Sequence, residues 1–180
     1  MKKIAFLLLA LTYCGIANAQ NYKTTKGEIE FNASTPLEDI HAVNKVVNAI
    51  LKPDNGDFAS VLLMKDFKFR RSLMQEHFNE NYVESEKYPK AYFTGKIKDF
   101  NSEGLSSSPK EFAVDGKLTI HGVTKAFSTK AKLSKGSGGI KLVTNFIVKP
   151  EEFKIEVPKL LFKKIAQEVK VDVAFQMAEQ

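Results

Sequence analysis

Residues 112–133 constrain the fold more than any other stretch, because apolar and polar side chains alternate along both of its halves. Successive side chains of a β-strand point to opposite faces, so each half would have one apolar face and one polar face. The apolar positions are Phe112, Val114, Leu118 and Ile120 in the first half, and Phe127, Ala131 and Leu133 in the second. Between the halves, Gly122 allows the backbone conformation that a tight turn requires. The stretch therefore predicts two long antiparallel strands joined at His121-Gly122.

The same alternation recurs along the chain, at the spacing typical of an antiparallel sandwich or barrel. Further strands are predicted at 22–32, 45–51, 58–64, 93–98, 140–148 and 169–177. With the two strands of 112–133 these make about eight, which indicates an all-β domain. Residues 37–42 fit either a loop or a short helix after Pro36. A second short helix is predicted near 160–164.

Residues 72–81 interrupt the strands with a helical pattern. Apolar and aromatic residues recur there at steps of three and four positions, namely Leu73, Met74, His77, Phe78 and Tyr82. Ser72 and Gln75 fit a capping box at its start, and Pro89 stops any helix that reaches it. The pattern predicts one helix of about three turns that packs against one end of the sheet structure.

Residues 1–19 have the three parts of a secretory signal peptide. Two lysines precede an apolar run that is too short to span a bilayer, and residues 17–19 supply small side chains for a signal peptidase. We expect cleavage before Gln20, which leaves one domain at 20–180. The only cysteine, Cys14, is removed with the signal, so no disulfide or thiol chemistry is expected in the mature domain.

One alternative reading of the signal and the net charge limit the expected partners. Cys14 follows the bulky Tyr13, which fits a lipoprotein signal poorly. The whole chain has a formal net charge of +6, and loss of the two signal-peptide lysines leaves +4 on residues 20–180. This excess is small and dispersed, which argues against a nucleic-acid partner. A weak, transient attraction to an anionic membrane surface remains open, and the oligomeric state is not indicated.

No catalytic or metal-binding pattern is present in the sequence. The three histidines, His41, His77 and His121, are far apart and lack the spacing of metal ligands. Serine and aspartate residues form no nucleophile motif. The sequence therefore favours a protein that is not an enzyme and that requires no cofactor.

Two motifs resemble the YceI-like family. They are GKLTIHGVTK at residues 116–125 and FNENYVESEKYPKAYF at residues 78–93, in the family's order. The resemblance covers nearly all of residues 20–180. It implies a periplasmic, lipocalin-like, eight-stranded antiparallel barrel with one or two short flanking helices. It also implies an elongated internal cavity that binds a polyisoprenoid chain.

The chain departs from the family pattern before the helix. The family usually has an Arg-Asp pair there, whereas this chain has Arg70-Arg71, so a head-group contact is not carried over directly. Arginine nevertheless suits phosphate, and Arg70 and Arg71 are the candidates for meeting an anionic head group. With them, Phe78, Tyr82 and Tyr88 are predicted to lie at the barrel mouth.

An eight-stranded barrel is just wide enough to be filled by side chains or to hold one slender ligand. The predicted inward rows are rich in phenylalanine, of which the chain has fourteen, with no tryptophan. The predicted cavity lining is Phe31, Phe58, Phe93, Ile97, Phe112, Val114, Leu118, Phe127, Leu142, Phe146, Val173 and Phe175. We expect a carrier or store for an isoprenoid quinone or a polyprenyl phosphate.

Two rival functions stay open at this point. A filled barrel would act as an interaction module without ligand. An isoprenoid-modifying enzyme would need a buried titratable group facing the cavity, and the predicted inward rows contain none.

Overall fold

The computed structural model of the protein describes residues 20–158, 161 and 163–180. The predicted signal peptide at 1–19 lies outside the described residues, and so do parts of the helix predicted near 160–164.

The described chain consists mainly of long strands. Their bounds are β1 Tyr22–Asn32, β2 His41–Leu51, β3 Asp57–Leu63, β4 Lys68–Phe69, β5 Lys90–Ile97, β6 Lys110–Ile120, β7 Val123–Gly136, β8 Gly139–Val148 and β9 Val169–Glu179. One helix, α1 Ser72–His77, follows β4. Short 3-10 turns occur at Met64–Asp66, Ser102–Gly104 and Pro150–Phe153.

The strands form one closed antiparallel barrel. Each long strand pairs with its neighbours in the order β1-β9-β8-β7-β6-β5-β3-β2, and β1 pairs again with β2 to close the sheet. The two-residue β4 pairs with β2 at Ala42 and Val43, beyond the point where β3 has left it. The prediction of an eight-stranded antiparallel barrel with a short flanking helix is confirmed.

The hairpin at the centre of the sequence argument forms as predicted. β6 and β7 pair over their full facing length, from Lys110↔Leu133 to Ile120↔Val123. The two turn residues between them have positive φ, 52° at His121 and 72° at Gly122. Two-residue hairpin turns of the type that matches strand twist require this conformation.

The structure decides one alternative that the sequence left open and shortens one predicted α-helix. Residues 37–42 form no helix, because β2 begins at His41 and pairs there with the end of β1. The predicted helix over 72–81 is an α-helix only to His77, and Phe78–Tyr82 is a wider π-helical turn. The Asn79 side chain donates to the Gln75 carbonyl at 2.8 Å, so it competes with the backbone for that acceptor and favours the wider turn.

The middle of the barrel is filled by aromatic rings that lie on glycines. The Phe93 ring covers Gly95 and Gly116, which face each other across β5 and β6. A Cβ atom at either glycine would lie 2.6 Å from the tip of that ring. Gly27 accommodates the Phe175 ring in the same way, with 2.5 Å to its edge. Without side chains at these glycines, large rings fit inside a narrow barrel.

The two ends of the barrel are different. The two longest connections, 64–89 and 149–168, leave the barrel at the same end, which we call the open end. The opposite end, the closed end, is packed solid. Its buried side chains include Tyr22, Leu51, Ile97, Phe112, Leu133, Ile140 and Met177.

Candidate ligand-binding cavity

A cavity of about 590 Å³ lies at the open end of the barrel. This volume is within the roughly 300–1,000 Å³ range of ordinary ligand sites. The barrel wall contributes Ile29, Phe31, Leu62, Ala91, Leu118, Ile120, Phe146, Val148, Val169 and Val171. The connections and α1 contribute Ala33, Ile40, Met64, Phe67, Phe69, Leu73, Met74, Phe78, Val83, Pro150, Ile155, Val157, Leu161 and Ile165. The lining is therefore almost entirely apolar.

Four phenylalanines fasten α1 and the π-helical turn to the barrel. The Phe31 ring lies 5.1 Å from Phe67, 5.7 Å from Phe69 and 5.4 Å from Phe78, measured between ring centroids. Phe78 also lies 5.1 Å from Phe69. Edge-to-face and tilted aromatic contacts at these distances are favourable beyond the area that they bury. This cluster forms one wall of the cavity and holds the helix in place.

The titratable residues of the cavity lining are exposed or half-buried, and none is fully buried. The titratable lining residues are Glu38, Arg71, His77, Tyr82 and Lys164. The Arg71 Nη1 atom lies 2.9 Å from the Glu38 Oε1 atom, so the ion pair joins the β1–β2 connection to the start of α1. Burial raises the pKa of Tyr82, so its phenol keeps its O–H donor to a higher pH than an exposed tyrosine does.

A much smaller void of about 80 Å³ lies deeper, in the middle of the barrel. Its walls include most of the rings predicted to line a cavity. The rings of Phe58 and Phe175 are 6.1 Å apart, and those of Phe58 and Phe93 are 6.0 Å apart. These rings occupy most of the space that a continuous tunnel would need. The usable cavity is therefore at one end and does not run the length of the barrel.

The predicted lining residues fall into three groups. Phe31, Leu118 and Phe146 border the large cavity. The small void is bordered by Phe58, Phe93, Val114, Phe127, Leu142, Val173 and Phe175, and again by Leu118 and Phe146. Ile97 and Phe112 border neither, because they lie at the closed end, where the Phe112 ring packs 5.9 Å from Phe100.

The predicted mouth residues are also divided. Arg71, Phe78 and Tyr82 border the large cavity. Arg70 is exposed and does not border it. Tyr88 packs on the outside of the β6–β7 turn, with its ring 4.3 Å from the His121 ring. It stays a prediction that the predicted lining residues and the predicted mouth residues contact a ligand.

Most of the lining residues that were not predicted from the sequence lie outside the eight long strands. Phe67 and Phe69 alternate with the charged residues Asp66, Lys68 and Arg70 in a short extended segment, a pattern that could have drawn attention to them. Ile155, Val157 and Ile165 lie in the connection between β8 and β9, where no period marks an inward face. The apolar content of that connection was the only available signal.

His121 joins three segments at the rim of the open end. One ring nitrogen, Nε2, lies 2.9 Å from the Glu84 Oε2 atom, and the other, Nδ1, lies 3.1 Å from the Phe153 carbonyl oxygen. The side chain is only 9% exposed. Glu84, His121 and Lys154 all have positive φ, which is uncommon for residues other than glycine. The β6–β7 turn is thereby tied to both long connections.

Two kinds of feature are absent from the described part of the chain. Residues 20–158, 161 and 163–180 contain no group of three or more side chains placed to hold a metal ion. No helix within these same residues has the length and apolar character needed to cross a bilayer.

A closed eight-stranded antiparallel barrel with an apolar cavity under its long connections is a lipocalin-like barrel. The chain belongs to the YceI-like domain family, whose model matches residues 17–177. No curated protein matches the chain.

Several solved structures share the fold. A polyisoprenoid-binding domain from Saccharophagus degradans superposes with a TM-score of 0.77 at 16% identity, over 90% of this chain and 99% of that one. BcnA from Burkholderia cenocepacia gives 0.70 at 15% identity, over 83% and 94% of the two chains. The Campylobacter jejuni YCEI protein gives 0.55 at 18% identity, over 99% and 92%. At these identities the similarity shows the fold alone.

Proposed function

We propose that this protein binds a polyisoprenoid chain in the cavity at the open end and serves to carry or store it. The observation that supports this most is the polarity of the lining, since it is almost entirely apolar and its five titratable residues are all exposed or half-buried. A lipid with a long apolar tail and a small polar head matches that arrangement. The structurally similar S. degradans domain is described as polyisoprenoid-binding, which supports the same ligand class.

The energetics favour a tail-binding site. Each buried methylene contributes about 0.8 kcal/mol, so a few isoprene units give micromolar affinity without any polar contact. The titratable lining groups are partly exposed; the Arg71 side chain, for example, is 60% exposed. An isoprenoid-modifying enzyme would need such a group deep in the cavity. We therefore propose binding and carriage, with no catalytic step and no required cofactor.

The direct test is to identify what the protein holds. The protein is purified under native conditions from its own host, extracted with organic solvent, and the extract is analysed by mass spectrometry. We expect an isoprenoid quinone or a polyprenyl phosphate at close to one molecule per chain. An extract without isoprenoid, together with no binding of added isoprenoid quinone or polyprenyl phosphate, would instead favour the interaction module.

Arg71→Gln tests the proposed head-group contact. Arg71 lies at the opening, and its guanidinium can pair with phosphate through two hydrogen bonds. We expect the affinity for a polyprenyl pyrophosphate to fall about tenfold, since a hydrogen bond to a charged group contributes roughly 1.5–3 kcal/mol. The affinity for a neutral quinone with the same tail should change little. Titration calorimetry with both ligands measures the difference.

Arg70→Gln is the matched control, because Arg70 is adjacent in sequence but does not border the cavity. Equal losses for both ligands, or a loss with Arg70→Gln as large as with Arg71→Gln, would reject the head-group role of Arg71. Tail binding in the barrel would be unaffected by that result.

We also propose that the protein is exported to the periplasm. The pattern of residues 1–19 supports this proposal. The N-terminus of the protein recovered from the periplasm should be Gln20, as determined by N-terminal sequencing or intact mass. Recovery of periplasmic protein that still carries Met1 would contradict it.

The open end is proposed to contact the membrane when lipid is exchanged. Leu37 and Leu73 are 65% and 59% exposed, and the Arg71–Glu38 ion pair holds their segments together beside the cavity opening. Leu37→Glu combined with Leu73→Glu should weaken binding to anionic vesicles at least about tenfold, because burial of each leucine contributes up to about 3 kcal/mol. Vesicle sedimentation measures the change.

Val46→Glu serves as the control for this prediction. Val46 is 52% exposed, yet it lies on β2 and does not border the cavity. If Val46→Glu weakens vesicle binding as much as the double variant does, the open end has no special role in membrane contact.

A further inference from the structure

The barrel wall has a gap between β7 and β8. β7 pairs with β6 over residues 123–133, and β8 pairs with β9 over residues 140–148. β7 and β8 themselves pair only from Ala131↔Thr144 to Gly136↔Gly139. Residues 123–130 of β7 and 145–148 of β8 therefore have no ladder partner on their facing sides. We call this gap the β7–β8 window.

A hydrogen bond from a side chain lies at each end of the window. Toward the closed end, the Thr144 hydroxyl donates to the Lys130 carbonyl oxygen at 2.7 Å. At the rim of the open end, His121 is hydrogen-bonded to the Phe153 carbonyl oxygen at 3.1 Å. The two sides of the window are thus held together above and below, while the backbone between them is unpaired.

A separate cavity of about 250 Å³ lies in the window. Its lining comes from both sides of the gap and from the connection that follows β8. It consists of Leu118, Lys125, Ala126, Phe127, Ile147, Val148, Lys149, Glu152, Phe153 and Glu168. The Lys125 Nζ and Glu152 Oε2 atoms lie 3.9 Å apart, and the Lys149 Nζ and Glu168 Oε1 atoms 3.4 Å apart, so both lysines are paired.

Two aromatic rings separate the window from the interior. Phe127 of β7 and Phe146 of β8 are T-shaped, with 4.7 Å between ring centroids. Phe146 borders the large cavity, and Phe127 borders the window. Leu118 and Val148 border both spaces. The large cavity and the window therefore meet at these side chains, where β7 and β8 do not pair with each other.

Inside the barrel there is little space into which a long lipid tail could extend beyond the large cavity. The void beyond the large cavity measures about 80 Å³ and is enclosed by the rings of Phe58, Phe93 and Phe175. Past that void the closed end is packed solid. Some tails are too long for the large cavity. The excess length of such a tail finds more space on the window side, where the volume is about 250 Å³.

We propose that the β7–β8 window is a second opening of the barrel, through which the far end of a long isoprenoid tail leaves the interior. The Phe127–Phe146 pair closes the window when the tail is short or absent. The inference rests on the proposed isoprenoid-binding function and adds the path of the tail to it. It also means that the barrel accepts tails longer than its cavity.

The test places one thiol in the window. Residues 20–180 have no cysteine, so Ala126→Cys, at an exposed position that borders the window, introduces the only thiol of the mature protein. Its alkylation by a water-soluble maleimide is followed by intact-mass spectrometry, with the protein saturated by a short-tailed or a long-tailed isoprenoid quinone. We expect the long tail to slow alkylation several-fold and the short tail to leave it unchanged.

Ala178→Cys is the control, because Ala178 is exposed near the closed end and should be alkylated equally with either quinone. Equal alkylation of Ala126→Cys with both bound quinones would overturn the window proposal and leave the proposed function standing. If neither an isoprenoid quinone nor a polyprenyl phosphate of any tail length binds, both proposals are overturned.

A second measurement uses the aromatic pair and does not depend on a thiol. Phe127→Ala and Phe146→Ala should each raise the affinity for long tails relative to short tails several-fold, because each widens the passage. Phe112→Ala truncates an equally large ring at the closed end and should leave that ratio unchanged. An unchanged ratio in both window variants would count against the proposal in the same way.

Discussion

Phe175→Ala is expected to lower the free energy of unfolding by about 3–5 kcal/mol, as large truncations of buried phenylalanines do. The Phe175 ring is only 2% exposed and lies in the middle of the barrel against Gly27 and Phe58. Glycine cannot extend a side chain into the vacated space, and a closed sheet resists collapse. Urea unfolding of residues 20–180, followed by circular dichroism, measures the loss.

Phe31→Ala provides the comparison. Phe31 is half-buried and already borders the 590 Å³ cavity, so its removal enlarges an existing space. We expect a smaller loss of stability than for Phe175→Ala, and a greater loss of tail binding. If the two variants lost equal stability, the distinction between a filled middle and a hollow end would be wrong.

Gly116→Ala is expected to cost about 3 kcal/mol or more, at or above the usual upper range for overpacking. The added Cβ atom would lie 2.4 Å from the Thr94 carbonyl oxygen and 2.6 Å from the Gly95 Cα atom. Both are backbone atoms of the paired strand, so no side-chain rotation relieves the contact. The Phe93 ring would also have to move. The same urea unfolding experiment measures the effect.

Gly136→Ala is the matched control, since no atom lies within 4 Å of a Cβ atom built there. Its stability should change by no more than about 0.5 kcal/mol. Equal unfolding midpoints for the two variants would show that β5 and β6 can separate without cost at Gly95 and Gly116.

Alternation was sufficient to predict an all-β domain of about eight strands, because it is a local property, whereas the prediction of a barrel over a sandwich came from the resemblance to the YceI-like family. Each strand shows its inward face by parity, and His121-Gly122 marks a turn that few other residue pairs allow. The extent of the helix was harder to predict. Its π-helical end depends on the Asn79 side chain reaching the Gln75 carbonyl, a contact that periodicity does not report.

The position of the cavity could not be predicted in this way. Parity shows that Phe93 and Phe31 both point inward, but it does not show how far along the barrel space remains. That depends on which rings lie on glycines and on where the long connections pack, and both are relations between distant strands. Similarly, Arg71 borders the cavity and Arg70 does not, although they are adjacent in the sequence.

Because the two ends of the barrel differ, the residues that stabilise the fold are largely separate from the residues that would select a ligand. The residues that close and fill the sheet lie in the middle and at the closed end, whereas much of the cavity wall comes from the connections 64–89 and 149–168. Surface connections tolerate change better than the elements they join. Exchanges confined to these two connections could therefore give descendants with different lipid preferences while the barrel itself stays the same.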